Sequence, residues 1–185
     1  MAGNFNIAQD CVRVAVVRYS DAADATIPLS QYGDINSLLP AIRALTLLGG
    51  RSNLATALQT LRTRAFARNV VRSGATLVAG ILTDRLTCNS QIVSEASYLK
   101  NTMGVVILGV AVTATRAVDT RCFRQIVSSG QYFEVPSYGL VNNFVSQAAR
   151  YACVNVVPTP TTTPGPVLAP SKYVGATSYS AAVLL

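Results

Sequence analysis

The chain has 185 residues, of which 50% are hydrophobic and only 12% are charged. This balance excludes a disordered or coiled-coil chain and indicates one domain with a well-buried core, followed by a tail. The net charge is +7, and thirteen of the fifteen basic residues are arginine, which favours contact with carboxylate, sulfate or phosphate groups. Because the arginines are scattered along the chain, no nucleic-acid partner is predicted.

Cysteine and histidine usage limits the chemistry. The chain has no histidine, and its four cysteines, Cys11, Cys88, Cys122 and Cys153, are widely spaced. Zinc sites and catalysis by Cys/His or Ser/His/Asp groups are therefore not expected. Four separated cysteines fit two disulfides in an oxidising compartment, and four free buried thiols are the alternative. Residues 1–10 lack the apolar core of a secretion signal, and no apolar run reaches the ~18 residues of a membrane span, so neither is predicted.

The chain begins with a predicted hairpin. Residues 12–19 carry valines on one face, residues 20–24 form a turn, and residues 25–29 form a short extended segment. Together they predict an antiparallel hairpin on an otherwise parallel sheet.

Two helices are predicted next. Asp34 can cap a helix over residues 35–45, and Pro40 is accommodated in its first turn if Ser37 is the true N-cap. A glycine-rich loop at residues 49–53 then leads into a helix over residues 54–66 with leucines along one stripe.

Residues 75–84 are the clearest element of the chain. Eight uncharged residues precede Thr83, without polar alternation, which is typical of a parallel strand buried on both faces. A helix is the alternative, but Gly80 and the threonines disfavour it. Because ligands of open α/β sheets gather beyond the carboxyl ends of the strands, Asp84 is expected to lie at a ligand crevice.

Helices and strands alternate in the rest of the domain. The predicted elements are a helix capped by Asn89 or Ser90 and ending at Gly104, a strand over 105–112, a short helix from Asp119, an edge strand over 132–135 and a final helix over 140–153. This alternation predicts right-handed crossovers and a mostly parallel sheet flanked by helices. From residue 156 the sequence is rich in proline and threonine and predicts a linker or glycosylated stalk. The predicted domain covers residues 1–154, and residues 155–185 form a tail.

No single motif predicts a reaction. Ser52, after Gly49 and Gly50, could belong to a phosphate loop, but the lysine and spacing of a Walker loop are missing. The sequence contains neither a Gly-x-Gly-x-x-Gly fingerprint nor a Gly-x-Ser-x-Gly elbow. No catalytic residue is predicted.

Five segments in order resemble the von Willebrand factor type A domain, especially its matrilin and collagen VI branch. They are residues 12–20, 48–58, 81–84, 104–110 and 131–135. The resemblance covers residues 4–153 and implies a doubly wound sheet, an extracellular parent protein and binding of protein ligands, often through a divalent cation.

The resemblance also implies where a cation would bind. Asp84 matches the aspartate that ends a central strand in the family, and Ser52 stands at the position of its metal-binding threonine. Hydroxyl and carboxylate oxygens suit Mg²⁺. The family's Asp-x-Ser-x-Ser loop is absent, however, and Arg85 replaces a glycine, so the expected Mg²⁺ site is degenerate or incomplete. Arg51 and Arg85 are expected on the ligand face.

The family's first strand, which lies at the centre of its sheet, is also expected to be missing from this chain, as in an N-terminally truncated domain. The strands over 12–19 and 75–83 are therefore expected either to pair directly or to belong to an unstable truncation.

Two disulfides are expected from this layout. Cys88 and Cys122 each follow a central strand, so a bridge forms if their loops come within disulfide reach. Cys11 and Cys153 are a second possible pair, with a bond from Cys153 to another chain as the alternative.

Two functions remain at this point. The first is a non-catalytic adhesion module of the extracellular matrix that binds a matrix protein such as collagen, with Arg62, Arg64 and Arg68 available to a sulfated glycan. The alternative is a small cytosolic nucleotide-binding domain or enzyme that uses Ser52 and Asp84.

Overall fold

The structure, a computed structural model, describes residues 12–46, 48–114, 117–141 and 179–184, the last segment mainly by its backbone. The strands are β1 (Val12–Tyr19), β2 (Ala23–Ile27), β3 (Thr76–Thr83), β4 (Arg85–Leu86), β5 (Val106–Val112), β6 (Ala117–Val118), β7 (Tyr132–Val135) and β8 (Tyr179–Leu184). The α-helices are α1 (Ile35–Arg43), α2 (Leu54–Thr60), α3 (Ser90–Asn101) and α4 (Thr120–Ile126). A π-helical turn, Leu61–Ala65, continues α2, and a 3₁₀ turn, Tyr138–Leu140, follows β7.

Six strands form one sheet in the order β2-β1-β8-β3-β5-β7. Only the β1–β2 pair is antiparallel, and the other neighbours run parallel. The α/β class, the parallel sheet, the hairpin and the edge position of β7 are therefore confirmed. The short strands β4 and β6 form a separate parallel pair just beyond the carboxyl edge.

Helices cover both faces of the sheet because its central strands are apolar on both sides. Every residue of β5 is buried. Alternate residues enter two cores: Ile107 and Ala111 pack with α2, α3 and α4, whereas Leu108 and Val110 pack on the side of Leu38 in α1. This is the doubly wound arrangement that the resemblance implies.

Short polar side chains fix where the helices begin. Asp34 caps α1 by accepting hydrogen bonds from the backbone N–H groups of Asn36 and Ser37 at 2.8 and 3.0 Å. The predicted Asp34 cap is confirmed, and the alternative of Ser37 as the N-cap is wrong, because the Ser37 hydroxyl donates to the Asp34 carboxylate instead. Pro40 consequently lies inside α1, beyond the first turn.

The predicted caps of the later helices are confirmed. The side-chain amide oxygen of Asn89 accepts from the N–H of Ile92 at 2.8 Å, and the Asp119 carboxylate accepts from the N–H of Cys122 at 3.0 Å. Gly104 has φ of 68° just after α3, a conformation that favours glycine.

The centre of the sheet differs from the sequence prediction. β1 and β3 do not pair with each other, because β8 lies between them in parallel register with both. At the amino edge Tyr179 pairs with Val12 and Thr76, and at the other end the fully buried Leu184 pairs with Val17 and Ile81. Residues 179–184 therefore belong to the sheet and not to a tail. In this central position both edges of β8 are hydrogen-bonded to a neighbouring strand. A short apolar segment that follows a proline-rich stretch does not predict such a position by itself.

Other predictions fall outside the described residues. Most of the expected final helix, the domain boundary at residue 154 and the proline-rich stretch lie between residues 142 and 178. None of the helices described is long and apolar enough to cross a membrane.

Candidate functional site

A crevice of about 460 Å³ opens at the carboxyl edge of the sheet. It lies where β1 and β3 end and where the chain enters α2, as expected for a ligand site in an open α/β sheet. Its polar lining is formed by Arg18, Tyr19, Ser20, Arg51, Ser52, Thr83, Asp84 and Tyr138, and its larger apolar side chains are Ile42, Leu45, Leu48 and Leu82.

Hydrogen bonds hold the loop before α2 against the end of β1. The N–H of Asn53 donates to the Ser20 carbonyl at 2.9 Å, and the N–H of Arg51 donates to the Asp21 carboxylate at 3.3 Å. Gly50 has φ of 92°, and a Cβ at this position would collide with the Asp21 carboxylate. Glycine is therefore required where the loop passes Asp21.

The floor of the crevice is a set of hydroxyl groups around the Arg85 carbonyl. This carbonyl accepts hydrogen bonds from the Thr83 hydroxyl at 2.7 Å and the Ser52 hydroxyl at 3.1 Å. Burial raises the pKa of the Tyr19 phenol, while its contacts with the hydroxyls of Thr83 and Ser52 act in the opposite direction. Tyr19 therefore stays neutral at physiological pH and joins the ends of β1 and β3.

Asp84 faces Tyr138 across the crevice. Partial burial raises the pKa of the Tyr138 phenol, and the charge of Asp84 and a hydrogen bond to its carboxylate raise it further. Tyr138 is nevertheless 56% exposed, so its ring forms part of the outer wall. The Asp84 carboxylate is thus engaged by the protein itself.

The two arginines that line the crevice differ in how available their guanidinium groups are to a ligand. Arg18 is bound on several sides, donating to the Thr46 carbonyl at 3.0 Å and the Thr26 hydroxyl at 2.8 Å and pairing with Asp24 at 3.4 Å. Arg51 has a side chain that is 95% exposed and lies 4.0 Å from Asp21. Since such an exposed pair contributes little, the Arg51 guanidinium can meet an incoming ligand.

A disulfide fastens the same edge of the sheet. Cys88 and Cys122 are bonded, with their Cα atoms 5.8 Å apart, and Cys122 lies in the first turn of α4. The bridge predicted between the loops after β3 and β5 is confirmed. Cys11 and Cys153, the other predicted pair, lie outside the described residues.

A comparison with known protein families agrees with this sheet order and with the crevice at the carboxyl edge of the sheet. The family model of the von Willebrand factor type A domain matches residues 1–147. The chain belongs to this family.

Relatives of this von Willebrand factor A (vWA) chain include matrix proteins. It is 29% identical over 140 residues to the collagen alpha-1(XXI) chain of Xenopus laevis, covering 75% of this chain and 14% of the collagen. Proximal thread matrix protein 1 from the mussel byssus has a similar structure, with a TM-score of 0.68 at 22% identity over 80% of this chain and 37% of that protein. Another structure of the byssus protein, with a zinc-occupied MIDAS motif, has a TM-score of 0.67 at 22% identity, covering 78% of this chain and 36% of that chain. At these identities the structural likeness shows the vWA fold, and the chain spans only a minor part of each relative.

The described residues do not form a divalent-cation site on their own. Asp84 is the only acidic side chain that lines the crevice within the described part of the chain, and Tyr138 engages it. The Ser52 hydroxyl donates to the Arg85 carbonyl. Described residues also include no group of three or more acidic, cysteine or histidine side chains placed to hold a metal. One engaged carboxylate beside two arginines is a poor donor set for Mg²⁺.

The vWA crevice contains three of the four predicted site residues, and also others that the sequence did not suggest. Ser52, Asp84 and Arg51 line it. Arg85 does not line it: its carbonyl accepts the hydrogen bond of the Ser52 hydroxyl, and its side chain is exposed. Tyr19 and Tyr138 were missed. The position of Tyr19 at the end of a predicted strand was a usable signal, whereas Tyr138 follows β7 in a short 3₁₀ turn that has no periodic pattern.

One predicted contact surface needs correction. Arg62 was grouped with Arg64 and Arg68 as available to a sulfated glycan, but its guanidinium donates to both oxygens of Glu95 at 2.8 and 3.1 Å and lies 5.2 Å from the centre of the Tyr98 ring. Its charge is therefore satisfied within the domain.

Proposed function

We propose that this chain is a non-catalytic adhesion module of an extracellular matrix protein, and that it binds a matrix protein such as collagen at the carboxyl-edge crevice. The observation that carries the proposal is the combination, in one opening, of the exposed Arg51 guanidinium with an apolar wall and a hydroxyl-lined floor. A protein ligand that presents an acidic side chain beside an apolar one matches this surface.

The apolar wall supplies the contact area. Leu48 is 45% exposed and Tyr138 is 56% exposed, and both line the opening. Tyrosine and arginine, which both line this opening, are enriched among binding hot spots. Burying them against a ligand removes apolar surface from water, and Arg51 then selects for an acidic group.

The disulfide and the relatives support an extracellular parent protein. Disulfides persist in oxidising compartments and are rare in the cytosol. A collagen chain and a byssus matrix protein are among the proteins that this chain resembles. The bond between Cys88 and Cys122 also disfavours the alternative of a cytosolic nucleotide-binding domain or enzyme, because cysteines in the cytosol are kept reduced.

We further propose that ligand binding by this chain does not require Mg²⁺. Ser52 and Asp84 occupy the two cation positions that the family resemblance assigns, but both are engaged in hydrogen bonds with groups of the domain. Arg51 supplies a fixed positive charge at the same opening, so an acidic ligand group can be recognised without an intervening metal.

Charge reversal at the crevice tests this function. Arg51→Glu is expected to weaken binding to immobilised collagen about tenfold, because an attractive charge becomes a repulsive one. Arg68→Glu is the matched control, because Arg68 follows the far end of the helical segment that begins with α2 at the crevice. Binding of both variants is measured by surface plasmon resonance. If they bind collagen equally, the crevice is not the binding site.

A further inference from the structure

The strand at the centre of the sheet comes from far along the chain. Val141 and Tyr179 are separated by 37 residues, and five prolines lie between positions 158 and 170. The other parallel connections described are much shorter, as from Thr83 through α3 to Val106. Among the described residues, β8 is joined to its neighbours by the ladder it forms with them.

That ladder is complete on both sides. Along its whole length β8 pairs with β1 and with β3, in the same parallel register that β3 shows with β5. Without β8, the facing edges of β1 and β3 would leave their backbone N–H and C=O groups without the partners they have in the sheet, and such edges readily take up another strand. Leu184, which is fully buried among the residues of the core, adds a side-chain anchor.

The connection is long enough for β8 to reach the gap between β1 and β3, here called the slot, in its own chain or in another copy. Thirty-seven residues can span up to roughly 120 Å when extended, whereas a domain of this size has a radius of gyration of about 14 Å. A neighbouring molecule's slot is therefore within reach of the strand, as the chain's own slot is. The two slots offer identical hydrogen bonds and the same pocket for Leu184.

We propose that the slot between β1 and β3 is a strand-binding site whose partner is Tyr179–Leu184 of a second copy of this chain. Two copies that insert their strands reciprocally form a closed, two-fold exchanged dimer with no contacts beyond those of the monomer. The balance between the two forms is set by the protein concentration relative to the effective concentration that the connection gives to the chain's own strand.

Cysteines at paired positions report which chain fills the slot. Ala182 pairs with Ala15 of β1 and with Ala79 of β3, and neighbouring strands lie about 4.8 Å apart, within the Cα separation of a disulfide. One full-length chain carries Ala79→Cys, and a second, distinguished by a mass tag, carries Ala182→Cys. Both also carry Cys11→Ser and Cys153→Ser. The two chains are mixed over a range of concentrations, unfolded and refolded together, oxidised, and analysed by mass.

We expect a disulfide between the two different chains whose yield rises with protein concentration. Ala15→Cys in place of Ala79→Cys gives an independent measurement from the other side of the slot if one variant folds poorly. Thr76→Cys with Ala182→Cys is the control, because Thr76 pairs with Tyr179, three positions away, and it should give little product. A single chain carrying both Ala79→Cys and Ala182→Cys should close internally when dilute. Internal closure without any link between chains at high concentration would overturn strand exchange, and the absence of both links would overturn the slot itself.

Discussion

The hydroxyl of Ser52 donates a 3.1 Å hydrogen bond to the backbone carbonyl of Arg85. The loop before α2 is thereby tied to the residue that follows Asp84, so the two side chains at the family's cation positions lie on one preformed floor. A floor whose polar groups are already paired presents a shaped surface to a ligand, which reduces the ordering cost of binding.

The disulfide at this edge should contribute strongly to stability. Cys88 and Cys122 are 34 positions apart, and closing a loop of that size is worth about 4 kcal/mol. The double variant Cys88→Ser/Cys122→Ser is expected to lose about this amount of unfolding free energy, measured by urea denaturation. With Cys11→Ser and Cys153→Ser in both proteins, reducing agent should lower the stability of the chain that keeps Cys88 and Cys122 similarly and leave the chain without them unchanged. An equal response of both proteins to the reducing agent would show that the stabilisation comes from elsewhere.

The ion pair between Arg62 and Glu95 should be stronger than an ordinary surface pair. The side chains are only 30% and 15% exposed, and the guanidinium reaches both carboxylate oxygens. Arg62→Gln is expected to cost about 1 kcal/mol of unfolding free energy. Arg64→Gln, at an exposed position of the same helical turn, is the control and should change little. Identical urea midpoints for the two variants would contradict the expectation.

Gly109 in β5 is required by close packing. A Cβ at this position would lie 2.8 Å from a ring carbon of Phe123 and would also overlap Val127. Gly109→Ala is expected to destabilise the domain by about 1–3 kcal/mol because α4 must move away from the sheet. Gly139→Ala, where the nearest atom would be 3.8 Å away, is the matched control for thermal melting. If the Gly109→Ala variant is as stable as this control, α4 can move away from the sheet without a loss of stability.

The cap of α1 should make stability depend on pH. Hydrogen bonds from the Ser37 side chain and backbone hold the pKa of the Asp34 carboxyl below its ordinary value. A group whose pKa is lower in the folded state stabilises the fold fully above its unfolded pKa, and this contribution is lost as pH falls through the folded value. Asp34→Ser keeps a capping oxygen but does not titrate. The urea midpoint of the wild-type chain is therefore expected to fall more steeply below about pH 4 than that of the variant, and parallel pH profiles would contradict this.

Much of the fold could be predicted because strong local signals coincide with it. β3 and β5 are continuous apolar runs, and Asp34, Asn89 and Asp119 are capping residues placed directly before helices. Cys88 and Cys122 could be paired because both follow strands that end at the same edge.

The remaining features depend on contacts between distant segments. β8 is six residues long, and its role comes from two neighbours more than 90 positions away. Arg62 finds Glu95 on another helix, and Tyr138 reaches Asp84 from a turn after β7. No period or motif within the sequence marks such pairs.

Binding of the full-length chain to immobilised collagen, measured by surface plasmon resonance first with Mg²⁺ and then with EDTA, tests the central claim most directly. We expect saturable binding whose dissociation constant changes by less than about twofold on removal of the metal, because Arg51 supplies the charge and Asp84 is engaged by Tyr138. Binding that disappears in EDTA and returns with Mg²⁺ would contradict metal-independent recognition, and the absence of binding under both conditions would contradict collagen as the ligand.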